Sequence, residues 1–531
     1  MTSSQNTEAL NQNLIERVNI GDMLRRRARD NADTEALILN DNGTRTSVTF
    51  SQLNARVNQL ARGLRAKGLN QHDKLALISS NNLDFLTVMF ACYKLGATAV
   101  PINFLQTPDD IRYNIEHSES VIVVYDPLLE DIALPCIEGN EKVLCTVNMA
   151  TETGKADTHI NELVAQQSAD DLEDCVILDR DTAHMIYTSG TTSRPKGVET
   201  SHLSLYFSAM GNAISLSAPL GQKQLLVLPM FHCAAVSLLV TTLNLGGAIV
   251  IQPAFDANDI VRTLQQERIQ SMALLPMMWK ALLTTEGIDK MSFPDFEYGI
   301  YAMAPMDKES LQQIRTTFDC QMHLGSGQTE FAPSACVFYD KSDQENPDGN
   351  YWGLPSNGVD QAIIDDDGNE VAQGELGEIC WRGPQAMTGY FKNPEASSEA
   401  SKFGWHHSGD LGLIDKYGQL MFVDRKKDTI KSGGENVSSV KVEQVIMGLD
   451  GVLLTAVFGV PHERWFEAVC AAVQLAPGTE LTEEAVIEHC KAHLGGFETP
   501  KKVIFVDNFE YTGTGKIRKV ALRQEYAKLF E

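Results

Sequence analysis

Between Gln224 and Phe255 the chain carries no Asp, Glu, Lys or Arg. So long a stretch without charge has two destinations, a hydrocarbon core or the buried layer of a large α/β domain. Pro229, His232, Asn244, Gly246 and Gly247 interrupt it, and a spanning helix would be more uniformly apolar. It therefore reads as strand, helix and strand inside a buried layer. The surrounding sequence keeps the same rhythm. Leu53, Val57, Leu60 and Leu64 share one helical face, with Ser51 as the expected N-cap and Gly68 as the stop. Lys74 to Ser79 reads as an apolar strand, Phe85 to Leu95 as a helix and Ala97 to Ile102 as a strand. Leu226 to Leu228, Ala248 to Ile251 and Met272 to Leu275 repeat the strand signal. This alternation is that of parallel α/β units.

Two changes of character follow. Residues 360–391 read as short strands, with Asp365-Asp366-Asp367-Gly368-Asn369 as a hairpin turn. Asp424-Arg425-Lys426-Lys427-Asp428 is a charged run without an apolar residue, followed by Ser432-Gly433-Gly434. It reads as a hinge to a C-terminal domain of roughly 100 residues.

The formal charge of −26, from 44 basic and 70 acidic side chains, argues against nonspecific binding to nucleic acid or anionic membrane. An anionic ligand must then be met by local positive groups. The ten cysteines form no C-x-x-C pair, and Met1 to Leu10 is too polar for a secretory signal. Reduced, mostly buried thiols are expected, in a cytoplasmic protein with no transmembrane segment.

The positive groups stand in Tyr187-Thr188-Ser189-Gly190-Thr191-Thr192-Ser193-Arg194-Pro195-Lys196-Gly197. Hydroxyls and open N–H groups can wrap phosphate oxygens, and Arg194 and Lys196 neutralise them. It is no Walker loop, because Pro195 and Gly197 flank the lysine. The string resembles the phosphate loop of the adenylate-forming superfamily, which includes acyl-CoA synthetases, luciferases and nonribosomal peptide adenylation domains. Three further stretches agree, and the resemblance runs from about residue 20 to residue 526. It implies an α/β fold: a large N-terminal domain, 1–426, of stacked α/β subdomains plus a β-rich subdomain, and a small mobile α+β C-terminal domain, 427–531. It also implies that Thr188, Ser189, Gly190, Thr191, Thr192 and Lys196 hold ATP.

Gly325-Ser326-Gly327-Gln328-Thr329-Glu330 is the second stretch. A carboxylate beside a hydroxyl suits Mg²⁺ on a nucleotide phosphate, although Gln-Thr-Glu alone would read as a capped helix start. The resemblance makes Glu330 a metal and catalytic carboxylate, with Thr188 beside it, Thr329 an α-phosphate contact, and Gln328 and Ser326 part of the nucleotide site. Ser326 stands where the family usually has an aromatic that stacks on adenine. Trp352, Tyr351 or another group then covers the base, or the position is vacant. The third stretch, Trp405-His406-His407-Ser408-Gly409-Asp410, continues to Asp424-Arg425. Asp410 and Arg425 are implied ribose ligands, Lys427 the hinge residue, and Lys431, Gly433, Gly434 and Glu435 the side facing coenzyme A. The fourth is Thr512-Gly513-Thr514-Gly515-Lys516, an exposed turn with one lysine at its tip. In the family this lysine is catalytic: carboxylate attack on the α-phosphate brings two anions together, and a cation at the developing charge lowers that barrier. Glu510-Tyr511 replaces the proline often found ahead of it.

The acid pocket is implied to include His232, Cys233, Val236, Trp279, Ala302, Met303 and Ala304, with His232, like Thr188, also a candidate catalytic residue. Amino-acid-activating relatives carry an Asp near position 232, so a neutral acyl or aryl acid fits His232 better. The alternative is a satisfied helix-start histidine. Ala302 and Met303 add bulk where relatives show glycine, which suggests a short-to-medium or aryl acid, while Met303 could also point into the core. The expected partners are a carboxylic acid and coenzyme A, with ATP and Mg²⁺. Homodimerisation stays open. So do three rival readings: loading of an acid onto a carrier protein, a luciferase-like oxygenase, and a degenerate nucleotide-binding relative.

Overall fold

The computed structural model describes residues 3–41, 43–150, 154–188, 194–302, 306–338, 351–511 and 517–530. The fold is mixed α/β, with a large multi-sheet N-terminal part and a smaller C-terminal one. Two compact units emerge. One comprises Met1–Thr188, Pro195–Asp360 and Arg382–Ser401; the other includes Gln361–Trp381 and Lys402–Glu531.

The first unit holds two sheets. In one, the strands Thr98–Pro101, Lys74–Ile78, Ser120–Tyr125, Cys145–Asn148 and Thr158–His159 pair in parallel in that order. Thr182–Thr188 joins Thr98–Pro101 in parallel, and Lys196–Ser201 then turns back antiparallel. In the other, Gln321–Ser326, Tyr298–Ala302, Ser271–Leu274, Lys223–Leu226, Ala248–Ile251 and Glu35–Asp41 run parallel. Cys336–Phe338 and Tyr351–Pro355 extend it antiparallel at one end, and Thr44–Thr49 at the other.

The uncharged stretch lies within this second sheet and its cover, as Lys223–Leu226, the helix Cys233–Asn244 and Ala248–Ile251. Its strand ends at Leu226, so the expected Leu226 to Leu228 strand is displaced toward the N-terminus. No described helix is long and apolar enough to cross a membrane. The helix Phe50–Ala66 starts on Thr49, which accepts the Gln52 N–H while the Gln52 side chain returns to the Thr49 N–H. Ser51, the expected cap, lies inside the helix: a reciprocal Thr49–Gln52 box satisfies two orphan N–H groups. Leu53, Val57, Leu60 and Leu64 are all buried as their spacing requires. All ten cysteines are free thiols, eight of them buried.

In the second unit Asp360–Ile364, Gly377–Arg382, His406–Ile414 and Leu420–Arg425 form consecutive strands of one sheet. The expected 365–369 turn is present, with the Asp365 carboxylate accepting the Asp367 and Asn369 N–H groups. Farther along, Val452–His462 and Phe466–Leu475 form a long hairpin, flanked by Ile430–Ser432 and Lys502–Phe505. The helices Ser439–Met447 and Glu483–His493 pack on one face of it through Val442, Ile446, Val486 and Cys490.

Candidate active site

The hairpin of Thr182–Thr188 and Lys196–Ser201 aligns Thr188 with Lys196 and Tyr187 with Gly197. Thr188 and Lys196 thus face each other at the mouth of the hydroxyl-rich connection. Ser189, Gly190, Thr191 and Thr192 lie outside the described residues. A Cβ at Gly197 would come within 2.6 Å of Met185 Sδ, so any side chain there would have to displace Met185. A short third strand, Gly389–Tyr390, pairs with Lys196–Ser201. Lys196 Nζ sits 4.0 Å from the centroid of the Tyr390 ring.

Glu330 meets the same tyrosine. The Tyr390 hydroxyl donates to Glu330 Oε1 at 2.9 Å. Glu330 is the middle residue of a single turn of 3-10 helix, Thr329–Phe331, after the strand Gln321–Ser326. That turn is fixed from below by the buried Phe331. Gly327, between the strand and the turn, is indispensable, because a Cβ would lie 1.5 Å from the Pro333 carbonyl oxygen. Gln328 precedes the turn in extended conformation. Ser326 is half-buried and in register with Cys336. Tyr351 and Trp352 pack against the buried cluster that contains Ile314, Met322 and Leu324. The hydroxyl of Thr188 and the carboxylate of Glu330 are hard oxygen donors of the kind Mg²⁺ takes. Among the described residues no ion pair engages that carboxylate.

The implied acid-pocket residues divide. His232 is the N-cap of the helix Cys233–Asn244, its Nδ1 accepting the Ala234 N–H at 3.3 Å. This is the helix-start role. Cys233 Sγ is 3.2 Å from Thr329 Oγ1, which joins that helix start to the Gly325–Glu330 turn. Val236 is buried one turn along. Ala302 ends the strand Tyr298–Ala302 opposite Gly325. Met303 and Ala304 lie outside the described residues. Trp279 departs from expectation. It is fully buried, its indole N–H donates to the Ile300 carbonyl, and its ring packs on Phe296 and Phe318. The structure assigns it to the core: a large ring with a satisfied N–H is a packing element.

In the second unit Asp410 and Arg425 are paired residues of adjacent strands. Asp410 is 2% exposed. The neighbouring Gly409 N–H donates to Glu378 Oε1, whose other oxygen takes Lys426 Nζ at 3.1 Å. Asp424 is buried, whereas Lys426 and Lys427 of the same charged run are exposed. It accepts the Ser439 N–H at 2.5 Å, and burial raises its pKa. Lys427 follows on the exposed side. Gly433 and Gly434, at φ +64° and +93°, turn the chain between Ile430–Ser432 and Glu435–Val437. Two consecutive positive φ values in a two-residue hairpin loop select glycine. Lys431, in the first of these strands, donates its N–H to Glu467. Lys516 lies outside the described residues, between the paired Tyr511 and Ile517.

Tyr390 is the residue that sequence reasoning missed. Gly-Tyr has no spacing that marks it, and its place depends on a pairing of two residues nearly two hundred positions from the phosphate hairpin.

Residues 24–391 match the family described as AMP-binding enzyme, and residues 441–516 match the AMP-binding enzyme C-terminal domain. The chain is 32% identical to the long-chain-fatty-acid–CoA ligase FadD13 of Mycobacterium tuberculosis, over 96% of this chain and 99% of that protein. It is also 32% identical to a feruloyl-CoA synthase of Amycolatopsis, over 91% and 94%. A solved structure of o-succinylbenzoate CoA synthetase from Bacillus subtilis, in complex with its acyl-adenylate intermediate, superimposes with a TM-score of 0.84. It is 25% identical, covering 94% of this chain and 97% of that one.

Proposed function

The chain belongs to the AMP-binding enzyme family, and on that premise we propose that it is an ATP-dependent acid–thiol ligase. A carboxylate attacks the α-phosphate of ATP to give acyl-AMP and pyrophosphate. The thiol of coenzyme A then attacks the acyl carbon and AMP leaves. Splitting the ligation helps because AMP is a far better leaving group than hydroxide.

The observation that carries this reading is the meeting of Lys196 and Glu330 on Tyr390 beside Thr188. A cation for phosphate and a carboxylate for a metal stand at the mouth of a Ser/Thr/Gly connection. Mg²⁺, when bound, would neutralise phosphate charge there; Glu330 and Thr188 are the residues to hold it. Asp410 and Arg425 would bind the ribose, and Thr329 the α-phosphate. Lys516 would stabilise the charge that develops as the carboxylate attacks. Lys427 would be the pivot at the start of the C-terminal domain, 427–531, with Gly433, Gly434 and Glu435 turned toward the thiol in the second step.

For the acid, the pieces that meet the Gly325–Glu330 turn are small, Cys233 and Ala302, with the buried Val236 one helical turn beyond Cys233. They favour an uncharged acyl or aryl group of short to medium length over an amino acid. The test is a panel of short, medium and aryl acids scored first by acid-dependent pyrophosphate exchange and then by CoA-thioester formation. Exchange with no acid of the panel would sink the reading. Exchange without thioester formation would sink coenzyme A as the acceptor.

A further inference from the structure

Lys196 and Glu330 carry opposite charges on the same tyrosine, and among the described residues no ion pair joins them. In a half-buried site an ammonium and a carboxylate within reach attract strongly. If they paired, each would cancel the charge the other offers to a nucleotide. Tyr390 presents a different surface to each. Its ring face, the negative side of the aromatic quadrupole, holds the ammonium, and its hydroxyl donates to the carboxylate.

We infer that Tyr390 is a positioning residue that keeps Lys196 and Glu330 apart and separately available, one to phosphate and one to the divalent cation. The inference rests on the reading that these two residues serve MgATP.

The backbone around Tyr390 is built for this. The Met387 N–H donates to the Glu330 carbonyl and the Phe391 N–H to the Gly197 carbonyl, beside Lys196. The Thr388 N–H donates to the Glu199 carbonyl, and the Tyr390 N–H to Ser397 Oγ. The segment carrying the ring is thus fixed to the chain on both sides of it, next to each partner.

Two variants separate the contacts. Tyr390→Phe keeps the ring under Lys196 and frees Glu330. Tyr390→Leu removes both contacts. With an acid that the wild type activates, pyrophosphate exchange is titrated with Mg²⁺ at fixed ATP and with ATP at saturating Mg²⁺. Tyr390→Phe is expected to raise the Mg²⁺ half-saturation point roughly tenfold to a hundredfold, as for loss of a hydrogen bond to a charged group. Tyr390→Leu is expected to raise the ATP KM as well. Thioester formation from supplied acyl-adenylate and coenzyme A should stay within about twofold of wild type in both, because a step after phosphate transfer does not use the contact. A Mg²⁺ dependence unchanged in Tyr390→Phe overturns the inference, as does an equal loss in both half-reactions, which would mark a purely structural tyrosine. Calorimetric titration with MgATP alone keeps the two proposals distinct. A wild type that activates no acid but binds MgATP in a Tyr390-dependent way would sink the ligase reading and leave the positioning role standing.

Discussion

Arg425 Nε lies 3.3 Å from Asp410 Oδ1, the pair set opposite one another on adjacent antiparallel strands. The two ends differ in setting: the Asp410 side chain is 2% exposed and that of Arg425 42%. A buried carboxylate beside a half-exposed guanidinium suits a diol, with an acceptor below and a donor at the rim. Asp410→Ala is therefore expected to raise the ATP KM roughly tenfold to a hundredfold, the scale of hydrogen bonds to a charged acceptor, with a smaller change in kcat. ATP-dependent pyrophosphate exchange measures both. An unchanged ATP KM would remove Asp410 from the nucleotide site.

Lys516→Ala addresses the adenylation step alone. Exchange should fall by at least about 10²-fold to 10³-fold, the cost of losing one charge stabiliser at a transition state. Conversion of supplied acyl-AMP to thioester should survive. Equal losses in the two half-reactions would show that Lys516 acts on something common to both.

Two histidines away from the site make stability depend on pH. His184 and His202 are buried around Tyr93. The Ile20 N–H donates to His202 Nδ1 at 3.4 Å, so that nitrogen carries no proton. Burial lowers the pKa of His184 to about 4 and of His202 to about 3. Unfolded, both titrate near 6.5. Below that value the unfolded chain binds protons the folded chain refuses, so stability falls with decreasing pH through the window from 6.5 down to the folded values. Above it the two residues contribute no slope. The slope is about 1.4 kcal/mol per pH unit for each histidine. Denaturant melts at pH 7 and pH 5 should show a loss that shrinks in His184→Gln. An undiminished loss in that variant would place the acid sensitivity elsewhere.

Much of this architecture is legible in local pattern. The uncharged run from Gln224 to Phe255 sorts into strand, helix and strand because only a buried α/β layer accepts it with glycines and a proline inside. Asp365 to Asn369 turns where its carboxylate can take successive N–H groups. Function was legible where a motif is contiguous, as around Lys196 and Glu330. What escaped was non-local. Nothing near Gly389-Tyr390 announces that two residues will pair with a distant hairpin and set a ring between two charges. Resemblance alone puts Trp279 in the acid pocket; packing shows that Ile300, Phe296 and Phe318 enclose it. Asp424 belongs by sequence to a charged hinge run, yet the N-terminus of the helix Ser439–Met447 draws it inside.

Ser326 stands where the resemblance to adenylate-forming enzymes implies an aromatic stacked on adenine, and its surroundings give the substitution a direction. Tyr351 and Trp352, the rings named as candidates to cover the base, are packed against the buried cluster that contains Ile314, Met322 and Leu324. The Ser326 carbonyl accepts the Ala335 N–H at 3.0 Å, and the residue keeps regular register with Cys336. Its backbone is thus fixed by the sheet whatever the side chain, and the side chain is half-buried rather than enclosed. A ring introduced by Ser326→Tyr should reach the base without disturbing the strand. Base–aromatic stacking is worth roughly 1–3 kcal/mol, part of it offset by ordering the new side chain. The ATP KM should therefore fall by a few-fold to about tenfold, with kcat little changed because stacking is equal in ground and transition states. GTP serves as a check on mechanism: a stacking gain extends to any purine, whereas a gain confined to ATP would mean a new polar contact. A KM that rises would show the adenine face already covered by another side chain, and the vacant stacking position would be abandoned.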